Sequence, residues 1–143
     1  MSTGRHVLHV CTTCRPPEAD PAAPRDGAKL FARIEALYRD WNGRADVTLA
    51  PVECMSGCDR ACTVALSAPG KPSYLFGDKR PTAETAAAAL DLAAQYLASE
   101  TGDLPRKERP EPFRRGILAR IPAVPPSPAS LSLGTLSRDA GEG

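Results

Sequence analysis

The sequence predicts an α/β domain, and three observations carry that expectation. Short apolar runs, each bounded by breakers, read as strands. Two segments repeat apolar residues at helical spacing. The runs alternate strand, helix, strand, and then strand, strand, helix, which is an order that helix-covered sheets use.

The first element is HVLHV, His6 to Val10, a short strand ending at Cys11. The following stretch holds Pro16, Pro17, Pro21 and Pro24, which disfavour regular structure and make a stiff loop. Asp26 is the expected N-cap of the first helix. From there Leu30, Phe31, Ile34, Leu37, Tyr38 and Trp41 share one face, and Asn42–Gly43 stops the helix. DVTLAPVE then alternates through Val47 and Leu49 as a second strand. A right-handed crossover makes these two strands parallel. CTVALS, from Cys62, is the third strand and YLFG, from Tyr74, the fourth; Pro69–Gly70 between them turns the chain into a hairpin. Thr82 caps a second helix whose buried side carries Ala86, Leu90, Ala93 and Leu97. The expected sheet is thus mixed and four-stranded, βαβ then ββα, which is the layout of the thioredoxin fold.

One domain suits 143 residues, here assigned to residues 1–100. From residue 101 to 143 the chain holds seven of its 15 prolines and no cysteine, and it reads as a mostly disordered tail. A net charge of +1, with no basic patch interleaved with aromatics, gives no nucleic-acid footprint. The apolar run Val7–Val10 is too short for a signal-peptide core, and no stretch approaches the roughly 20 residues of a membrane helix. The expected location is the cytoplasm, where thiols stay reduced. Five cysteines there point to metal or redox chemistry.

Cys11 and Cys14 form a C-x2-C unit, and Cys54, Cys58 and Cys62 follow at intervals of four. Cys11 ends the first strand and Cys54 the second. In a parallel pair both strand ends emerge on one edge of the sheet, where ligand sites of open α/β sheets collect. Two remote groups of thiols should therefore meet, and Gly57 lets the CMSGC backbone curl. Four thiolates suit zinc or an iron–sulfur cluster. Thr12, Thr13, Ser56 and the loop amides are available to donate hydrogen bonds to sulfur. The expected ligands are Cys11, Cys14, Cys54 and Cys58. Cys62 reads either as a small buried hydrophobe or as an alternative ligand.

VLHVCTTC followed by VECMSGC resembles the thioredoxin-like [2Fe–2S] ferredoxins, including the small [2Fe–2S] subunit of respiratory complex I. Cys11 matches the first ligand of that group, and Cys54 to Cys58 match its second C-x3-C half. The C-x2-C of the first pair is tighter than the spacing usual there, and Cys62 has no counterpart. The layout HVCTTC, CMSGCDRACTVAL, PGKPSYLFGD is more similar still to a bacterial family of predicted metal-binding proteins, domain of unknown function 1636, over roughly residues 5–99. The resemblance implies a [2Fe–2S] cluster and a one-electron carrier rather than an enzyme, with cobalt or cobalamin metabolism as a setting.

Two other functions stay open on the residues. A four-cysteine zinc site, structural or for trafficking, uses a similar ligand set, although C-x3-C is less usual in zinc knuckles. A thiol–disulfide oxidoreductase would use CTTC, but a redox C-x2-C draws its low thiol pKa largely from a helix N-terminus. Here a proline-rich loop separates Cys14 from the first helix in sequence. His6 and His9 alternate with apolar residues and read as sheet-surface histidines. The stretch Arg106–Arg120, with six positive and two negative residues, reads either as a solvated extension or as a docking segment for an acidic redox partner, with Phe113, Ile117 and Leu118 as anchors. The alanine-rich helix has two uses as well: packing on its own sheet, or against a second copy in a homodimer.

Overall fold

The computed structural model describes residues 5–14, 22–56 and 60–124. Strands β1 (His6–Cys11), β2 (Val47–Val52), β3 (Val64–Ser67), β4 (Ser73–Phe76) and β5 (Ile117–Ile121) form one sheet in the order β2-β1-β3-β4-β5. Helices α1 (Asp26–Tyr38) and α2 (Ala83–Ala98) complete the fold, with single turns of tighter helix at Asn42–Ala45, Arg106–Glu108 and Glu111–Phe113. β1 and β2 are parallel, joined through α1, and β3 and β4 form the antiparallel hairpin. None of the described helices is long and apolar enough to cross a membrane.

The period of two in the strands selects the buried face. Leu8, Val10, Val64, Leu66, Tyr74 and Phe76 lie on it and are buried. α2 covers this face with Ala86, Ala89, Leu90, Leu92, Ala93 and Tyr96, and α1 adds Leu30 and Ile34. Small alanines let α2 come close without leaving voids. So α2 spends its alanine side on this chain's own core.

The ends of the helices follow local chemistry. Thr82 caps α2 as expected, its Oγ1 accepting from the Thr85 amide at 3.1 Å. α1 starts one residue earlier than the sequence implies, with Arg25 rather than Asp26 at the cap position. Its second residue, Gly27, donates its N–H to the carbonyl of Cys14 at 2.9 Å, so the cysteine loop serves as the capping acceptor. His9 sits on the open sheet face, bonded to Ser67 Oγ at 2.8 Å. His6 does not: it faces α2, edge-on to Tyr96 with ring centroids 5.8 Å apart.

The sheet has five strands, not four, and the fold continues past residue 100. β5 pairs antiparallel with β4, and Leu104, Arg109 and Phe113 are buried. Phe113 stacks edge-on against Phe76 at 5.2 Å. It is therefore core, not an exposed docking anchor. The strand escapes a periodicity reading because it is an edge strand of five residues, with Ile117 and Ile121 at 40% and 58% exposure and no clean alternation. Residues 125–143 of the expected tail lie outside the described residues.

Candidate metal centre

The parallel pairing of β1 and β2 sets the site. Its register places Cys11 beside Val52, so the chain leaves both strands at the same rim, with Cys54 two residues further on. Backbone bonds then knit the two exits together. The Thr12 amide donates to the Val52 carbonyl at 2.8 Å, and the Thr12 hydroxyl donates to the same oxygen at 3.3 Å. The Thr13 hydroxyl donates to the Glu53 carbonyl. Across β1 on the other side, the Cys11 amide donates to Thr63 O at 3.2 Å.

The sulfurs occupy this junction. Cys14 Sγ donates to Cys11 Sγ at 3.0 Å, and both residues are buried. Cys11 Sγ lies 3.7 Å from the Glu53 carbonyl oxygen and 3.8 Å from Thr13 Oγ1. Cys14 Sγ is 3.6 Å from Thr63 Oγ1. Burial pushes the Cys11 thiol up, but hydrogen bonds from Cys14, from the Thr13 amide and hydroxyl and from the Met55 amide outweigh it and leave its pKa lowered. For Cys14 burial and the bond to Cys11 act together and raise the pKa.

Cys54 is exposed, on the solvent side of the same loop. The Ser56 amide donates to its sulfur at 3.2 Å, and Ser56 itself has left-handed backbone, φ 60°. Cys58, and the Gly57 expected to curl the loop, lie outside the described residues. Among the described residues no three His, Cys, Asp or Glu side chains are gathered as a metal site. Cys62 is completely buried one step along the rim, its N–H and C=O both paired with the Lys79 backbone at 3.1 Å. Burial pushes its thiol up to about 12, with Cys14, Asp26 and Cys11 adding to the rise, so it stays protonated.

Sequence reasoning missed three features of this rim. α1 returns to the cysteine loop although a proline-rich segment separates the two in sequence. A Cβ on Gly27 would stand 2.1 Å from the Cys11 carbonyl oxygen and 3.1 Å from the Cys14 amide nitrogen, so only glycine admits the helix here. The helix N-terminus that the sequence denied to Cys14 is therefore beside it. The second feature is the closure of the cysteine loop: Arg60 Nε reaches both Asp78 carboxylate oxygens at 2.9 Å, and Arg60 O accepts from the Asp78 amide at 2.6 Å. The third is Gly77, whose missing Cβ leaves room for Arg60 O, 2.7 Å from where that atom would sit. A glycine in the first helical turn, where alanine is intrinsically better, was the one available signal.

The Cys11–Cys14 pair fits a thiolate-bound centre. Two thiolates on one tetrahedral ion stand about 3.8 Å apart, given metal–sulfur bonds of about 2.3 Å. Cys11 and Cys14, at 3.0 Å as a hydrogen-bonded thiol pair, need only a small adjustment.

The solved structure of a thioredoxin-like [2Fe–2S] ferredoxin from Aquifex aeolicus is similar, with TM-score 0.52 and 17% identity, covering 87% of this chain and 97% of that one. Two further structures of the Aquifex aeolicus ferredoxin match with TM-score 0.49. One is a cysteine-to-serine variant at 17% identity, covering 80% of this chain and 98% of that one; the other is the wild type at 16%, covering 81% and 98%. The first of these likenesses establishes the thioredoxin-like fold. No curated protein matches the sequence. The profile of a family described as Protein of unknown function (DUF1636) matches residues 8–123, and the chain belongs to that family.

Proposed function

We propose that the chain binds a [2Fe–2S] cluster through Cys11, Cys14, Cys54 and Cys58 and serves as a one-electron carrier. The observation that supports this most is the junction at Cys11. Its sulfur, beside Cys14, accepts from the Met55 amide of the loop that carries Cys54. The shared fold of the Aquifex aeolicus ferredoxin supports it further.

When bound, the cluster supplies a centre that takes up and releases one electron without proton transfer. The chain's own residues do the rest. Cys11 and Cys14 face the protein interior and exclude water, whereas exposed Cys54 marks the side open to a partner. The amides of Thr13, Met55 and Ser56 donate to sulfur and stabilise the added negative charge. The N-terminal end of α1, held on the loop by Gly27, acts in the same direction. The protonated thiol of Cys62 is left outside the ligand set.

Purification without oxygen, an absorption spectrum and counts of iron, sulfide and zinc test this. Visible bands with about two irons and two sulfides per chain are expected. Colourless protein with one zinc overturns the cluster. Cys11→Ser and Cys54→Ser should bleach or shift the bands, and Cys62→Ala should leave them unchanged.

One observation favours a second reading, dithiol exchange at Cys11 and Cys14. Their sulfurs are within reach of each other, and the α1 N-terminus adjoins them. That reading leaves Cys54 and Cys58 idle and requires attack at two buried sulfurs. Metal-free protein whose CTTC cycles with a thiol reductant would favour it.

A further inference from the structure

We infer that the cysteine rim continues into a built electropositive surface that docks an acidic protein partner; the partner's redox role rests on the cluster reading above, but its docking does not. The register carries one line across the sheet. Cys11 lies beside Val52, Val10 beside Val64, Val64 beside Phe76, and Phe76 beside Ile117. The ends of β2, β1 and β4 and the starts of β3 and β5 therefore share one edge. β5 is three strands from β1, or about 15 Å along the rim.

Immediately before β5 the chain presents Arg106, Lys107, Arg114 and Arg115, all exposed, around a concavity of about 530 Å³ with Glu111 as the single acid lining it. Two of these cations are held in place. Arg106 Nε donates to Arg114 O at 3.0 Å, and Arg114 Nε donates to Arg109 O at 2.9 Å. Fixing two guanidinium groups on carbonyls removes part of the entropy lost on binding, and both side chains remain exposed.

Two buried cations lie beneath. Lys79 Nζ donates to the carbonyls of Pro112 and Arg115 and sits 4.8 Å from the Phe113 ring centroid. Arg109 donates through Nη1 to Phe113 O at 3.2 Å and stacks 5.7 Å from the Phe76 ring centroid. No carboxylate among the described residues lies within ion-pair distance of either. Their charge adds to the field at the surface above. The patch is also mechanically continuous with the cysteine loop. Gly77, next to the Asp78 that clamps Arg60, donates to Gly116 O at 2.7 Å.

Carboxylates are the chemistry that four Arg and Lys side chains in a small concavity fit, because the planar guanidinium pairs with them through two bonds. Nucleic acid fits less well. No aromatic side chain lines the concavity for base stacking.

The test uses the full chain and three ten-unit probes: a labelled deca-glutamate peptide, a ten-nucleotide RNA as the other polyanion, and a deca-lysine peptide of opposite charge, which should not bind. The expected result is binding of deca-glutamate that weakens with salt, with amide shifts at residues 104–116 and at Thr13 and Arg60. Lys107 and Arg115, whose side chains make no hydrogen bond among the described residues, are reversed in K107E/R115E. This double variant should weaken binding at least about fivefold. R33E/R39E on α1, with the same change in net charge, should leave it within about twofold. Equal loss in both variants, tighter binding of the RNA than of the peptide, or no binding of deca-glutamate at low salt overturns the inference. Peptide affinity and its loss in the variants are read independently of iron content, so cluster and docking fail separately.

Discussion

At Gly27 the absence of a single carbon decides how α1 meets the cysteine loop. Alanine is the better helix former by about 1 kcal/mol, so Gly27→Ala in an exposed first turn should stabilise. Here the added Cβ would stand 2.1 Å from Cys11 O, which is backbone and cannot move aside cheaply. Gly27→Ala should instead cost at least about 2 kcal/mol in urea unfolding and lower the iron retained per chain. A gain in stability would show that α1 does not seat on the loop. The cysteines were legible because thiols at strand ends are rare and their spacing is chemical. Gly27 and the Arg60–Asp78 pair were not, since each answers to a tertiary approach that local sequence does not encode.

Among the elements, α2 was the most legible: Thr82 and the alanine period fixed its start and its buried side. Its lock to the hairpin was not. Tyr96 Oη donates to Pro72 O at 2.8 Å, and Lys71 Nζ donates to Tyr96 O at 2.8 Å. Burial, with nearby Tyr74, pushes the Tyr96 hydroxyl up to about 12. In the unfolded chain it titrates near 10. The folded state therefore holds this proton longer. The contribution to stability is complete below pH 10 and is lost between pH 10 and 12, at about 1.4 kcal/mol per pH unit. Tyr96→Phe gives up a hydrogen bond, about 1 kcal/mol below pH 10, but escapes that alkaline loss. Urea unfolding at pH 8, 10 and 11 should show the two stabilities converging as pH rises; parallel curves would remove Tyr96 as the cause.

For the whole molecule, composition misleads about where the fold ends. Proline and charge dominate after residue 100, yet the prolines set the single helical turns at Arg106–Glu108 and Glu111–Phe113 that deliver Phe113 to the core. β5 then covers the flank of β4, with Arg120 Nε donating to the Tyr74 hydroxyl at 3.2 Å and its guanidinium paired with Asp103 at 2.5 Å. Deleting the segment uncovers Phe76, Tyr74 and the α2 face together. Loss of a fully buried phenylalanine alone costs about 3–5 kcal/mol, set against a total stability of roughly 5–15 kcal/mol for a domain. Leu104 and the β4–β5 hydrogen bonds go with it. A chain of residues 1–100 should therefore show no cooperative thermal transition, while the full chain does, and Phe113→Ala in the full chain should fall between them. If residues 1–100 melt cooperatively near the temperature of the full chain, the fifth strand is an ornament on a complete four-stranded fold. The rim from Cys54 to Arg115 would then not be a single rigid edge.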